Sequence, residues 1–411
     1  MSDERGGMGA KGVTVLATLA AAIVSGGWLL ERGAVEPNRV TPEQGTRLFR
    51  QVLERVAEDF VEPVSPDTLW RKAASGLLRQ LRDPHSSLLS ERALDRLNER
   101  TTGNYGGLGV QVDVRDGWLT VTAPLPNSPA SEAGLETGDR IVSVDGRNTY
   151  GLSVEEALRT LRGVPGSTAK LEIERPGVDT RMTFTLTRRV VHQRAVRRAS
   201  LLEGGVGYVE VATFSDSTSL ELARAIDSLA RAGMTSLMLD LRGNPGGLFE
   251  QGVAVSELFL DPGQAIVRMK GRTADANREF VDRGPQRWRA LPIVTLVDEG
   301  SASAAEIVAG ALQDHDRAIL VGAQTYGKGS AQSVFRIPGE GAVKLTTSLW
   351  YTPAGRSINR RPIEQDDETE IAEEGDSIPL ARRARFKTAM GRTVYGGGGI
   401  LPDVVVADTL L

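Results

Sequence analysis

The sequence predicts a mixed α/β (α+β) chain in four parts. These are an N-terminal membrane helix, a small helical module, a β-rich domain and an α/β core with a mostly parallel sheet. Three observations predict it. Residues 12–30 carry no charge, and residues 45–100 repeat apolar side chains at helical spacing. From about Val191 onward, short apolar runs alternate with amphipathic stretches, the pattern of βαβ units. A chain of 411 residues is also too long for one ordinary core.

Residues 12–30 read GVTVLATLAAAIVSGGWLL. As a helix this stretch spans roughly 28 Å, about the hydrocarbon thickness of a bilayer. A buried helix of a soluble core rarely lacks a polar face for so long. The following Glu31-Arg32-Gly33-Ala34 offers no good small-x-small cleavage site, so a retained single-pass anchor is expected. Residues 1–11 then form a cytoplasmic tail, and residues 31–44 a linker. The rest of the chain would stand on the periplasmic or outer side of the cell membrane. Export with signal cleavage is the alternative.

In the helical module, Thr41-Pro42-Glu43-Gln44 is an N-terminal capping box, followed by apolar residues at Leu48, Val52, Val56 and Phe60. Ser65-Pro66-Asp67 opens a second helix that should stop near Asp83-Pro84, and a third runs from Glu91 to Arg100. Residues 101–189 switch to short alternating strands, with the turn Asp145-Gly146 and a short helix from Val154 to Leu161. The core, residues 190–411, places strands at Val206 to Val211, Ser236 to Leu241, Ile293 to Val297 and Ala318 to Val321. Helices fall between them, at Leu220 to Ala230, after Gly247, and at Ala304 to Gln313. A hairpin from Ser333 to Tyr351 follows. The acidic stretch 361–376 cannot build a packed core and reads as a solvated loop.

Composition removes whole classes of chemistry. A formal charge of −4 without a basic stripe argues against nucleic acid. With no cysteine there are no disulfides and no thiolate sites. The three histidines, His85, His192 and His315, stand in no ligand spacing, so neither a metal nor another cofactor is called for.

The reactive constellation begins where the strand ending at Val297 runs through a turn of small residues into the helix after Ser303. That arrangement brings a hydroxyl to unpaired backbone N–H groups and a helix dipole, the requirements of an oxyanion site. Taken alone, Ser303 could equally be a helix cap. A serine needs a base, and His315 lies about 18 Å away along the same helix. Lys328 stands instead in the glycine-rich loop after Val321, at the same end of the sheet as Ser303. Its amine must be neutral to act, against an ordinary pKa of about 10.4, and burial lowers that value. Gln332 can hold the amine by an uncharged hydrogen bond. A second oxyanion donor, beside the amide of Ala304, can come from Gly246 or Gly247 in the turn after Asp240.

Gly322-x4-Gly327-Lys328 also matches part of a phosphate-binding loop. That motif needs Ser or Thr next, and Gly329 follows; the segment beyond reads as strand, not helix.

Together, DLRGNPGG (Asp240 to Gly247), GSASAAE (Gly300 to Glu306), YGKGSAQ (Tyr326 to Gln332), YTPAGRSI (Tyr351 to Ile358) and YGGGGILPDV (Tyr395 to Val404) resemble the carboxyl-terminal processing, or tail-specific, proteases. The similarity covers roughly residues 45 to 411. It implies a serine endopeptidase with Ser303 as nucleophile, Lys328 as base and Gln332 as the residue orienting the lysine. It also implies oxyanion donors at Ala304 and in the Gly246-Gly247 turn.

Residues 101–189 look like a PDZ domain, with Tyr105 to Val110 resembling its carboxylate-binding loop and Ser128 to Asp145 its most recognisable stretch. Gly107, Leu108, Gly109 and Val110 are the expected peptide-binding residues. The implied partners are polypeptides with accessible C-termini and the membrane. The acidic stretch leaves room for an adaptor or activator protein, and a homo-oligomer is compatible with the sequence. The alternative function is a catalytically silent PDZ scaffold that only binds peptides.

Overall fold

The computed structural model describes residues 41–360 and 380–406. The expected membrane helix at residues 12–30 and the acidic stretch 361–376 lie outside the described residues. Among the described residues, no helix is long and apolar enough to cross a membrane.

The chain divides into a unit up to Leu77 and a larger unit from Leu78 onward. The smaller holds the helix Pro42–Asp59 and most of the helix Pro66–Arg79. Thr41 and Gln44 close the predicted capping box, the Thr41 hydroxyl accepting from the Gln44 N–H and the Gln44 side chain from that of Thr41. Phe49 and Trp70 stack with ring centroids 6.0 Å apart. No residue of the first helix is buried.

In the larger unit, the core sheet runs in the order Val196–Leu202, Val206–Val211, Ser236–Asp240, Ile293–Val297, Ile319–Gly322 and Val404–Val405. The first pair is antiparallel and every later pair is parallel. Helices Thr218–Arg231, Phe249–Glu257 and Ala304–Asp314 connect the strands, as the alternating pattern predicts. The last of these is buried along its whole length, which its Ala-, Ile- and Val-rich sequence permits. Val209, Leu239, Val297, Val308 and Leu320 are among the side chains fully shielded from water in this core.

A second, antiparallel sheet joins Ser87–Leu89, Gly341–Tyr351, Ala265–Gly271 and Arg278–Val281, with Ser330–Ile337 also paired to the long strand. Here the expected helical module opens up. The second helix ends at Arg79, before the expected Asp83-Pro84, and residues 87–89 form a strand on the hairpin that follows the lysine loop.

The β-rich domain is a sheet of Val110–Arg115, Trp118–Pro124, Arg140–Val144, Thr168–Glu174 and Met182–Thr187, with Arg147–Asn148 at one side. Its own core includes Leu119, Ile141, Leu171 and Ile173. The segments leading in and out, Asn104–Gly107 and Arg189–His192, pair with each other in a separate two-stranded ribbon.

Gly322 shows how tightly the core sheet is joined at the functional end. Its φ is +130°, and a Cβ there would lie 2.0 Å from the Val297 carbonyl oxygen. Gly322→Ala is therefore expected to lower unfolding stability by about 1–3 kcal/mol, read as an earlier midpoint in urea.

Candidate active site

Val297 and Gly322 are direct neighbours in the parallel ladder, so the loops that follow them leave the sheet side by side. The first loop is held by its own polar groups. Asp298 Oδ1 accepts from the N–H groups of Gly243 and Gly300, at 2.8 and 3.0 Å. The Ser301 hydroxyl donates to the Leu241 carbonyl at 2.8 Å. Ser303 then adopts φ +54° and ψ −111°, a region that a side-chain-bearing residue enters at a cost of about 1–3 kcal/mol. Its hydroxyl stands at the head of the helix Ala304–Asp314, half-exposed.

The glycine turn approaches from the neighbouring strand. Asn244, fully buried, donates from Nδ2 to the Val211 carbonyl, accepts the Gly246 N–H on Oδ1, and accepts the Ala302 N–H on its backbone oxygen. A Cβ on Gly246 would lie 2.8 Å from the Ser303 Cβ and 2.9 Å from the Ala304 nitrogen, so only glycine allows this approach. The Gly246 amide is thereby taken by Asn244. The amides of Gly247 and Ala304 donate to no group among the described residues. Two unspent N–H donors therefore lie beside the Ser303 turn.

One carboxylate ties the serine to the lysine. Glu306, fully buried, accepts the Ser303 N–H at 2.8 Å and the Lys328 N–H at 2.9 Å on the same oxygen. Its other oxygen accepts the Gly327 N–H at 2.7 Å and the Thr325 hydroxyl at 2.6 Å. Burial pushes the Glu306 carboxyl above its ordinary range, and these four donors work against that shift. The Tyr326 N–H adds a bond to the Ser301 carbonyl at 3.0 Å. The far side of the lysine loop is clamped by the C-terminal segments. Asn359 Oδ1 accepts from Gly329, and Gly399 packs so closely on Thr325 that a Cβ would lie 2.2 Å from its carbonyl oxygen.

The Lys328 amine is held below its ordinary pKa, first by burial and then by the neighbouring Lys344 cation; Glu306 and Asp83 oppose the shift. The sequence anticipated the burial and missed these charged neighbours. Gln332 donates from Nε2 to the Ser330 and Thr346 hydroxyls, at 3.0 and 3.2 Å, leaving its carboxamide oxygen as the remaining polar end. His315 bonds the Ala265 carbonyl from the other end of its helix, and His192 pairs with Glu221.

In the β-rich domain, Gly109 has φ +70°, and its carbonyl accepts the Ser128 hydroxyl at 2.9 Å. The amides of Leu108 and Gly109 donate to no group among the described residues. Strand Val110–Arg115 pairs on one side only, with Trp118–Pro124, so its other edge is open to an added strand.

Comparison with known proteins fits this geometry. The pattern of peptidase family S41 matches residues 205–369, and that of the PDZ domain matches residues 120–175. The carboxy-terminal-processing protease of Bartonella bacilliformis is 37% identical over 322 residues, covering 77% of this chain and 73% of the relative. The chain belongs to the carboxy-terminal processing proteases of family S41. The carboxy-terminal processing protease CtpA of Bacillus subtilis is 33% identical, over 79% of this chain and 68% of its own length. Among solved structures, the photosystem II D1 C-terminal processing protease is 29% identical and covers 88% of this chain and 87% of its own, with a TM-score of 0.46. The protein is thus a serine peptidase with a PDZ domain, and the silent scaffold is not favoured.

Glu306 and Asn244 are the residues that sequence reasoning passed over. The signal for Glu306 was present, as an acidic residue three positions after a serine that heads a helix. In this protease Glu306→Gln would set an NH₂ group against N–H donors. It is expected to lower casein hydrolysis by about 10²-fold and stability by about 1–3 kcal/mol, checked by initial rates and thermal unfolding.

Proposed function

We propose that this protease cleaves polypeptides by a Ser303–Lys328 dyad, after its PDZ domain has captured the substrate's C-terminal tail. The observation that carries the reading is the shared carboxylate oxygen of Glu306, which holds the backbones of Ser303 and Lys328 against each other. The neutral Lys328 amine takes the Ser303 proton as the hydroxyl oxygen attacks the peptide carbonyl. The Gly247 and Ala304 amides receive the negative charge that forms on the carbonyl oxygen, in a water-poor site where such donors count most. Gly246, whose own amide is occupied, keeps the turn close enough to do so. Lys328 returns its proton to the leaving amine, and then activates the water that releases the acyl group from Ser303. Gln332 holds the amine through its carboxamide oxygen.

Recruitment rests on Gly107, Leu108, Gly109 and Val110. The unspent amides of Leu108 and Gly109 suit a terminal carboxylate, and the open edge of Val110–Arg115 suits an extended tail. A membrane anchor at residues 12–30, an extracytoplasmic setting, an adaptor or activator protein and a homo-oligomer complete the proposal. The uncharged apolar run supports the anchor.

Ser303→Ala and Lys328→Ala are each expected to abolish casein hydrolysis while leaving thermal unfolding within a few degrees of wild type. Casein breakdown at the wild-type rate by either variant would remove the dyad. Because the amine is depressed, a larger fraction is neutral at pH 7 than for an ordinary lysine. The kcat/KM profile should therefore rise through one deprotonation centred below about 10.4. Substrates ending in a free carboxylate should be cleaved about ten-fold faster than their amidated forms at sub-saturating concentration. Equal rates on the two would leave the PDZ domain without a recruiting role.

A further inference from the structure

Gln332 can serve the lysine only if its carboxamide is turned the right way, and that orientation is set from outside the dyad. Both N–H bonds of its Nε2 are spent, on Ser330 and Thr346. Thr346 is its cross-strand partner, at a point where the ladder between Ser330–Ile337 and Gly341–Tyr351 shifts register. A hydroxyl could face a carboxamide by either end, since it can donate or accept. What removes the ambiguity is Asp83. Its carboxylate, which can only accept, takes the hydroxyls of Ser86, at 2.5 Å, and of Thr346, together with the His85 N–H at 3.1 Å. Burial pushes the Asp83 carboxyl up, but these donors hold it below its ordinary value, so it is ionised near neutrality. The Thr346 proton is committed to Asp83, its lone pair faces Gln332, and only the nitrogen end of the carboxamide fits there.

The turn that carries Asp83 is fixed to the same hairpin. The Ser86 hydroxyl accepts the Thr346 N–H at 3.0 Å, and Ser87, Leu88 and Leu89 pair with Lys344, Val343 and Ala342. We propose that Asp83 is a positioning residue for the catalytic lysine, acting through Thr346 to lock the Gln332 carboxamide with its oxygen turned toward the amine. With Asn in its place, the Thr346 hydroxyl is released to donate to the Gln332 oxygen. The carboxamide can then flip and present NH₂ to the amine, a donor against a donor. The proposal rests on the Ser303–Lys328 reading and adds to it a residue that precedes the PDZ domain.

The charges around Lys328 supply a second signature. Lys344 on the hairpin and His85 on the turn oppose a charged amine, while Asp83 on the turn and Glu306 on the helix favour it. Removing Asp83 should move the acid limb of the kcat/KM profile to lower pH. Removing Lys344 should move it to higher pH.

The test uses the full chain with Asp83→Asn, Thr346→Val, Thr346→Ser and the Asp83→Asn/Thr346→Val pair, alongside Lys344→Met. Asp83→Asn and Thr346→Val should each lower kcat about ten- to a hundred-fold, with KM within about two-fold of wild type. Thr346→Ser should keep wild-type kcat, and the double variant should be no slower than either single one. The acid limb should shift in opposite senses for Asp83→Asn and Lys344→Met. Wild-type kcat in Asp83→Asn, multiplying losses in the double variant, or limbs that move together would each overturn the relay. Ser303→Ala separates the two levels. An active Ser303→Ala sinks the dyad itself, whereas an inactive one beside a fully active Asp83→Asn sinks only the relay.

Discussion

The active site depends on one buried carboxylate. Glu306 sits where three loops would otherwise end in unsatisfied N–H groups, and its two oxygens accept four donors from the serine turn and the lysine loop. Each of those loops is rich in glycine and small residues and has little apolar surface with which to hold itself in place. An acceptor-only group in a dry setting provides the missing cohesion, because donors that lose it have no water to turn to. It also leaves the Ser303 side chain unencumbered, since the contacts are made to backbone atoms. The strained φ of Ser303 is tolerable for the same reason: the surrounding bonds determine that conformation from both sides.

Much of this architecture was legible in the sequence. The parallel strands are continuous apolar runs buried on both faces, and their helices carry distinct caps, so Ser236–Asp240, Ile293–Val297 and Ala304–Asp314 fall within a residue or so of expectation. Strands at sheet edges were not legible. Val196–Leu202 reads VRRASLL, with arginines where a buried strand would carry apolar residues, and Arg278–Val281 is short and charged. Ser87–Leu89 was absorbed into the helical module because three residues give no period to read.

The site divides in the same way. Ser303, Lys328 and the glycine turn were readable because strand ends of a parallel sheet converge at one edge, a rule that needs no coordinates. Which glycine amide remains available was not readable, since it depends on the Asn244 side chain folding back onto Gly246. The charge environment of Lys328 was equally hidden. Lys344 and Asp83 lie far apart in the chain, and a β-ladder between residues 87–89 and 342–344 brings their neighbourhoods together. Local pattern carries the backbone path here; long-range pairing carries the electrostatics.

That ladder and the ribbon formed by Asn104–Gly107 and Arg189–His192 have a joint consequence for how such a chain can change over generations. Because the core claims residues on both sides of the PDZ domain, that domain is an insertion with its two ends already zipped side by side. A module mounted on a closed stem can be lengthened, replaced or lost without pulling the surrounding sheet apart. Diversity in what is captured can accumulate there while the hydrolytic machinery stays unaltered.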